Sequence, residues 1–404
     1  MTAADPERKP LPYGRQWIDE DDVAAVVAAL RSDIIAHGPR VAAFEQAFAE
    51  KVGAMEAVAC SSGTAALHLA LAALDVAPGD VCVVPAITFL STATVARFCG
   101  AEVVFADVDP DSGLMTPKTL EAALAHAARP VKAALPVHLG GRLCDTAGIE
   151  RVCLEHNITV VEDASHAVGG VDASGAFVGG CAHSAAATFS FHPVKTLAAG
   201  EGGMATLNDG ARAARMRRLR NHGVTHDAAL MTEPESLDDD GTRKPWVYEQ
   251  IELGFNYRMN ELEAALGLSQ LGKLDRFVAR RRALADRYEA LLSPMAPLVK
   301  PAPLGTGEPG LHLFSVLIDF EAAGVRRAEV MRRLSADGVG TQVHYIPLYR
   351  QPYLKARYGE MRLPGAETYY TKVMALPLFP AMRDGDVDRV VDALAQALHR
   401  AQGG

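Results

Sequence analysis

Phe189-Ser190-Phe191-His192-Pro193-Val194-Lys195-Thr196-Leu197-Ala198-Ala199-Gly200-Glu201-Gly202-Gly203 sets a single lysine between an apolar run and a glycine cluster. The run 185–190 reads as a short buried strand, and Gly200, Gly202 and Gly203 permit a tight return into a second strand at 204–207. Lys195 then falls in a turn at a strand end. Held in a partly dry pocket, a lysine loses basicity, and its neutral amine forms Schiff bases, the chemistry that pyridoxal phosphate (PLP) enzymes use. An exposed loop lysine is the alternative that this stretch leaves open.

Upstream, short apolar runs at 57–60, 82–85, 103–107, 133–137 and 158–161 alternate with helical patterns at 117–127 and 149–156 and a further one after Ser91. Such alternation predicts a mostly parallel sheet covered by helices on both faces, with ligands beyond the carboxyl ends of the strands. The residues at those ends are Thr88 and Phe89, Pro136 and His138, Asp163 and His166, and Ser190 with Lys195. Ser61-Ser62-Gly63-Thr64 turns the run 57–60 into an alanine-rich helix, whose N-terminus suits a phosphate; ordinary capping by Ser62 is the plainer alternative. Asp163 is placed either to pair with a protonated pyridine nitrogen or to cap a helix. Phe89 either stacks on a ring or fills core, and His166 either bonds a cofactor oxygen or is structural.

The 404 residues, 49% hydrophobic, exceed one compact core and predict a large domain plus a smaller one. The division expected is a large domain at 31–280 and a small C-terminal α+β domain at 281–404, joined by an N-terminal segment at 11–30; the proline-rich stretch 294–309 marks the boundary region. In the small domain the pattern predicts strands at 313–318 and 340–344, a helix at 327–337 and a final helix from Asp386. Helices are also expected at 19–30, 41–52 and 261–274, followed by a longer one to Leu292 that carries Arg280-Arg281-Arg282 on a solvated face. The acidic stretch 226–244 reads as a surface loop over the site.

A net charge of −9 without a basic stretch argues against nucleic acid or an anionic membrane as partner. The first ten residues are polar and no apolar run of about 20 residues occurs, so a soluble cytoplasmic protein is expected. The six cysteines contain no Cys-x-x-Cys pair and read as reduced, buried small hydrophobes, with no metal site.

Taken in order, Ser62-Gly63-Thr64, Glu162-Asp163-Ala164, Ser190 with Lys195, Gly200-Glu201-Gly202-Gly203 and Gly254-Phe255-Asn256-Tyr257-Arg258-Met259 resemble the DegT/DnrJ/EryC/StrS family of sugar aminotransferases. The resemblance runs from about Leu11 to the C-terminus and implies PLP-dependent transferase fold type I: an α/β large domain with a mostly parallel sheet between helices, plus a smaller C-terminal α+β domain. Leu11-Pro12-Tyr13-Gly14-Arg15-Gln16, the Lys195 stretch and Gln342-Val343-His344-Tyr345-Ile346-Pro347 resemble the branch that makes UDP-4-amino-4,6-dideoxy-N-acetyl-β-L-altrosamine for pseudaminic acid. Two stretches depart from the family pattern. Residues 31–39 lack the Trp and the Thr or Gln usual before Gly38-Pro39, and Leu311-His312 lacks the usual Trp before His.

Carried over, the resemblance implies that Lys195 is the Schiff-base lysine and Asp163 the partner of the pyridine nitrogen. Phe89 would stack on the ring, His166 would approach its phenolic oxygen, and Gly63, Thr64 and Ser190 would hold the phosphate. Asn256 would reach the phosphate of the neighbouring subunit in a homodimer, and Arg258, His344 and Tyr345 would contact substrate. The expected substrates are L-glutamate as amino donor and a nucleotide-linked 4-keto-6-deoxy sugar. A sugar dehydratase on this scaffold replaces the lysine by histidine, which Lys195 disfavours. A regulatory protein without turnover is disfavoured by the intact Lys195, Asp163 and phosphate residues. Ser62-Gly63-Thr64 is not the Gly-x-Gly-x-x-Gly loop of an unrelated nucleotide binder.

Overall fold

The computed structural model describes residues 9–399. The polar first ten residues, expected to carry no signal-type apolar core, and the last residues of the expected small domain lie mostly or wholly outside that range. Seven strands form the main sheet: β1 (Glu56–Cys60), β2 (Val81–Pro85), β3 (Glu102–Ala106), β4 (Ala133–Ala134), β5 (Thr159–Asp163), β6 (Ala186–Ser190) and β7 (Gly203–Leu207). Their order is β1-β7-β6-β5-β4-β2-β3. Neighbours from β6 through β3 are parallel, whereas β7 runs antiparallel to both β6 and β1. The parallel strands are almost wholly buried, with valine and alanine their commonest residues, because helices cover both faces.

The helices of this part of the chain are α1 (Glu20–Leu30), α2 (Pro39–Val52), α3 (Gly63–Ala73), α4 (Leu90–Phe98), α5 (Pro117–Ala125), α6 (Thr146–Glu155), α7 (Gly210–Leu219), α8 (Glu261–Leu271) and α9 (Leu274–Leu292). Asp19 caps α1 in a reciprocal capping box with Asp22, and Asn260 does the same for α8 with Glu263. The antiparallel pair β8 (Val224–Thr225) and β9 (Glu249–Gln250) brackets the acidic stretch, which holds two short 3-10 turns. A second sheet of β10 (Val299–Pro301), β11 (Phe314–Ile318) and β12 (Val373–Leu376) packs with α10 (Arg327–Ala336) and α13 (Asp384–His399); α11 (Pro352–Tyr358) and α12 (Pro364–Lys372) lie between. Its own core runs from Leu284 to Leu398 and takes in Leu11 from the N-terminal segment.

Three expectations are corrected. No strand forms at 340–344; Gln342 makes one bridge, to Ala375. The expected strand at 133–137 is paired only at Ala133–Ala134, with a lone bridge from Val137 to Asp163. The Arg280-Arg281-Arg282 cluster is solvated only in part: Arg280 and Arg282 are partly exposed and pair with Asp384 and Glu308, whereas Arg281 is 1% exposed, and its Nη1 donates to the carbonyls of His312 and Leu378. All six cysteines are free. Among the described residues no helix is long and apolar enough to cross a membrane, and no cluster of ligating side chains could hold a metal ion.

Candidate active site

The Lys195 turn is anchored from below. Phe189 and Phe191 are buried against Phe48 and Phe44, with ring centroids 5.0 to 5.6 Å apart. The Phe191 N–H donates to the Gly202 carbonyl, and its own carbonyl accepts from the Ala199 N–H, so the loop between is closed at its base. Gly202 takes φ +153°, a conformation L side chains rarely adopt. The Lys195 N–H donates 2.8 Å to the His192 carbonyl, turning the side chain over the end of β6. The residue is half-buried along its length, and enclosure of its amine pulls the pKa down to about 8 against the opposing pull of Asp163.

Asp163 ends β5 and is 4% exposed. Its Oδ2 accepts from Thr92 Oγ1 at 2.8 Å and its Oδ1 from the Ser165 N–H at 3.2 Å. Glu162, one residue earlier, falls on the opposite face, as strand alternation requires, and accepts from His138 at 2.8 Å. His138, expected at the ligand rim, is thereby turned away from it; the Cys144 N–H donates to its Nδ1, which places the ring proton on Nε2 toward Glu162.

Lys195, Asp163, Gly63, Thr64 and Ser190 line one cavity of about 540 Å³. Phe89, His166, His344 and Tyr345 line it too, so nine of the expected site residues converge there. Ser62 caps α3 by accepting from the Ala65 N–H, which leaves the first-turn N–H groups of Gly63 and Thr64 directed outward. A Cβ on Gly63 would stand 2.6 Å from Ser190 Cβ, so only glycine lets the helix N-terminus sit this close to the end of β6. The two ends form a cradle for a phosphate beside the lysine. His166 Nδ1 accepts from the Gly140 N–H at 3.1 Å, so its proton sits on Nε2, 3.4 Å from the Tyr345 hydroxyl. Burial first, then the charges of Lys195, His344 and Arg142, press its pKa well below the usual value and keep the ring neutral. Phe89 is half-exposed at the mouth, with its ring 6.0 Å from that of Tyr345.

Asn256 and Arg258 are not in this cavity. Phe255 and Tyr257 stack on each other at 4.9 Å and cover His68, and the alternation of the chain sends Asn256 and Arg258 to the other side. There they line a second cavity of about 450 Å³ with Arg217, Arg220 and Asn221. Thr92, the direct partner of Asp163, carried no signal in the sequence beyond its place near Phe89. His312 also lines the main cavity and was visible only as a departure in Leu311-His312.

The cavity meets the needs of PLP: a half-buried lysine with a depressed pKa, a fixed buried carboxylate and a glycine-dependent cradle at a helix N-terminus. Comparison with known proteins points the same way. The DegT/DnrJ/EryC1/StrS aminotransferase family model matches residues 16–395. The spore coat polysaccharide biosynthesis protein SpsC of Bacillus subtilis is 38% identical over 387 residues, 95% of this chain and 96% of SpsC. Helicobacter pylori PseC, an aminotransferase involved in pseudaminic acid biosynthesis, superposes with a TM-score of 0.86 at 25% identity, covering 97% of this chain and all of PseC. The PLP form of Spr1654 from Streptococcus pneumoniae does so with a TM-score of 0.85 at 26% identity, covering 97% of this chain and 99% of that one. The chain belongs to the DegT/DnrJ/EryC1/StrS aminotransferase family and is a PLP-dependent aminotransferase.

Proposed function

We propose that the chain transfers the amino group of L-glutamate to C4 of a nucleotide-linked 4-keto-6-deoxy sugar, and that the sugar is UDP-2-acetamido-2,6-dideoxy-β-L-arabino-hex-4-ulose. The product would be a 4-amino sugar nucleotide for pseudaminic acid-type sugars. The observation that carries the reading is the Lys195 amine, held at a pKa of about 8 in the cavity that also contains Asp163 and the Gly63–Ser190 cradle. The sugar is supported by the likeness to SpsC and PseC, whose descriptions name polysaccharide and pseudaminic acid biosynthesis.

Bound PLP supplies an electron sink that makes the donor's Cα–H acidic and stores the amino group between half-reactions. Lys195 would hold the cofactor covalently, and its amine, once free, would remove the proton from the donor's Cα. The same amine later delivers a proton to C4 of the sugar, and a pKa near the working pH suits both directions. Asp163 would pair with the pyridine nitrogen and keep it positively charged. His166, with its proton fixed on Nε2, would donate to the phenolic oxygen, and Phe89 would cover the ring. Gly63, Thr64 and Ser190 would hold the phosphate. In this account Asn256 serves the phosphate of a second subunit, which explains its place in a separate cavity, and the active unit is a homodimer. His344 and Tyr345 contact substrate in their own cavity, and Arg258, in the cavity it shares with Asn256, contacts the substrate of the second subunit.

The test is single turnover of the glutamate-treated enzyme with UDP-, dTDP- and GDP-linked 4-keto-6-deoxy sugars, with products identified by mass and NMR. Fast turnover of the UDP-linked L-arabino ketosugar alone is expected. Preference for a D-configured sugar or another nucleotide overturns the sugar assignment, and no reaction with any overturns the nucleotide-sugar reading.

A further inference from the structure

Two arginines lie in the interior with no acidic partner among the described residues. Arg142 is 2% exposed; its Nε donates to the Leu139 carbonyl and its Nη2 to the Tyr369 hydroxyl, while Nη1 is enclosed with no partner. Arg281 donates Nη1 to two carbonyls, and its Nε is likewise enclosed and unpartnered. Carbonyl and hydroxyl oxygens satisfy hydrogen bonds but do not neutralise a guanidinium. A buried cation without a counter-charge is costly to a fold, and an anion that arrives later offsets that cost.

Both arginines stand behind the same wall of the Lys195 cavity. Arg281 grips the backbone carbonyl of His312, and the charge of Arg142 bears on His344 and His166. His312 and His344 line the cavity and are 2% and 5% exposed, and Nδ1 of each is enclosed without a partner. His166, whose Nδ1 is committed to the Gly140 N–H, is the contrast. An imidazole with no fixed partner can carry its proton on either nitrogen and so can present an N–H to an anion. The acids of the cavity are otherwise placed: Asp163 is held by Thr92 and Ser165, and Glu201 is exposed.

We propose that the wall formed by His312 and His344, backed by Arg142 and Arg281, is the subsite for a carboxylate of the amino-acid donor. The two imidazoles contact the carboxylate and the two guanidinium groups supply the compensating positive charge. The inference rests on the reading that an α-amino acid is the donor. The diphosphate of a nucleotide sugar is the other anion that enters such a site, and its arrival at this wall is the competing outcome.

The experiment titrates holoenzyme with glutarate, a dicarboxylate that has no amino group to react, and separately with UDP, following heat. Wild type is compared with His312→Gln, His344→Gln and Arg142→Met, each checked for cofactor loading and thermal midpoint. Glutarate binding is expected to weaken about tenfold or more in each folded variant, the scale of one lost charge-assisted hydrogen bond, with UDP binding unchanged. KM for L-glutamate should rise in parallel. The histidine variants decide the matter if Arg142→Met does not fold. Unchanged glutarate affinity in folded variants overturns the proposal, as does loss of UDP affinity with glutarate retained. If the variants lose glutarate but wild type is converted by no amino acid, the carboxylate subsite stands and the transamination reading falls.

Discussion

Thr92 Oγ1 donates a 2.8 Å hydrogen bond to Asp163 Oδ2, and Thr88 Oγ1 stands 2.9 Å behind it, all three residues being buried. With Thr92 committed to the carboxylate, Thr88 donates to Thr92, and the chain of hydroxyls fixes the rotation of Asp163 from the first turn of α4. Thr92→Val keeps the volume and removes the donor. It should cost about 1–2 kcal/mol in urea unfolding and weaken cofactor binding about tenfold. Thr92→Ser should restore most of the affinity. A Val variant with wild-type cofactor affinity contradicts the positioning role.

Gly63 tests the phosphate cradle. Its ideal Cβ lies 2.6 Å from Ser190 Cβ, so Gly63→Ala must push α3 away from β6. Cofactor affinity should fall by about a factor of ten or more, with a stability loss of about 1–3 kcal/mol from overpacking. Adding Ser190→Gly removes the nearest contact, and part of the stability should return. No recovery in the double variant would mean that the strain lies elsewhere.

Glu261, fully buried at the start of α8, accepts from the backbone N–H groups of Gly38 (3.1 Å), Arg40 (2.9 Å) and Val41 (3.4 Å). It thus caps α2, whose own cap residue, Gly38, has no side chain, and it lies 3.7 Å from the Arg40 guanidinium. Glu261→Ala leaves three part-buried backbone donors without a partner and should destabilise the chain by about 2–4 kcal/mol in urea unfolding. Glu261→Gln, which keeps an acceptor oxygen, should cost less than half as much.

Burial of Lys195 has a pH signature in the cofactor-free protein. Its folded pKa of about 8 lies below the ordinary 10.5. Between those values the unfolded chain binds the proton that the folded chain has released, so this group's contribution to stability rises with pH there. Below pH of about 8 the penalty of holding the charged amine is present in full, at most about 3 kcal/mol. Lys195→Met should therefore be more stable than wild type at neutral pH, and the gap should close on moving from about pH 8 to about pH 10. A gap that is absent or widens over that range contradicts the depressed pKa.

The parts of this molecule legible in the sequence are those with short-range causes. Asp163 and Lys195 follow apolar runs directly, and a strand end can point only to the rim of the sheet. The cradle was legible because Ser62-Gly63-Thr64 joins a strand to a helix. Arg281 was misread from its charged neighbours, although Phe277, Val278, Leu284, Ala285 and Tyr288 put it on the buried stripe of α9. His138 was misplaced because its partner, Glu162, comes from another strand. The capping of α2 by Glu261 bridges more than 200 residues and has no local signal, since Pro39 alone marks that helix start. The stretch 340–344 looked like a strand but makes only the Gln342 bridge to Ala375, and neighbouring Gly340 is pressed against Leu11.

The central claim is that this enzyme moves nitrogen from an amino acid to a sugar carbon, with Lys195 as the group that carries the proton. The most direct test is to treat holoenzyme with ¹⁵N-labelled L-glutamate, remove the free amino acid, and add the UDP-linked 4-keto-6-deoxy sugar. Mass spectrometry then reads the product. The account predicts a 4-amino sugar nucleotide that carries the label, formed in amounts up to the enzyme present, and none from Lys195→Arg. An unlabelled product, no product, or labelled product from Lys195→Arg would contradict it.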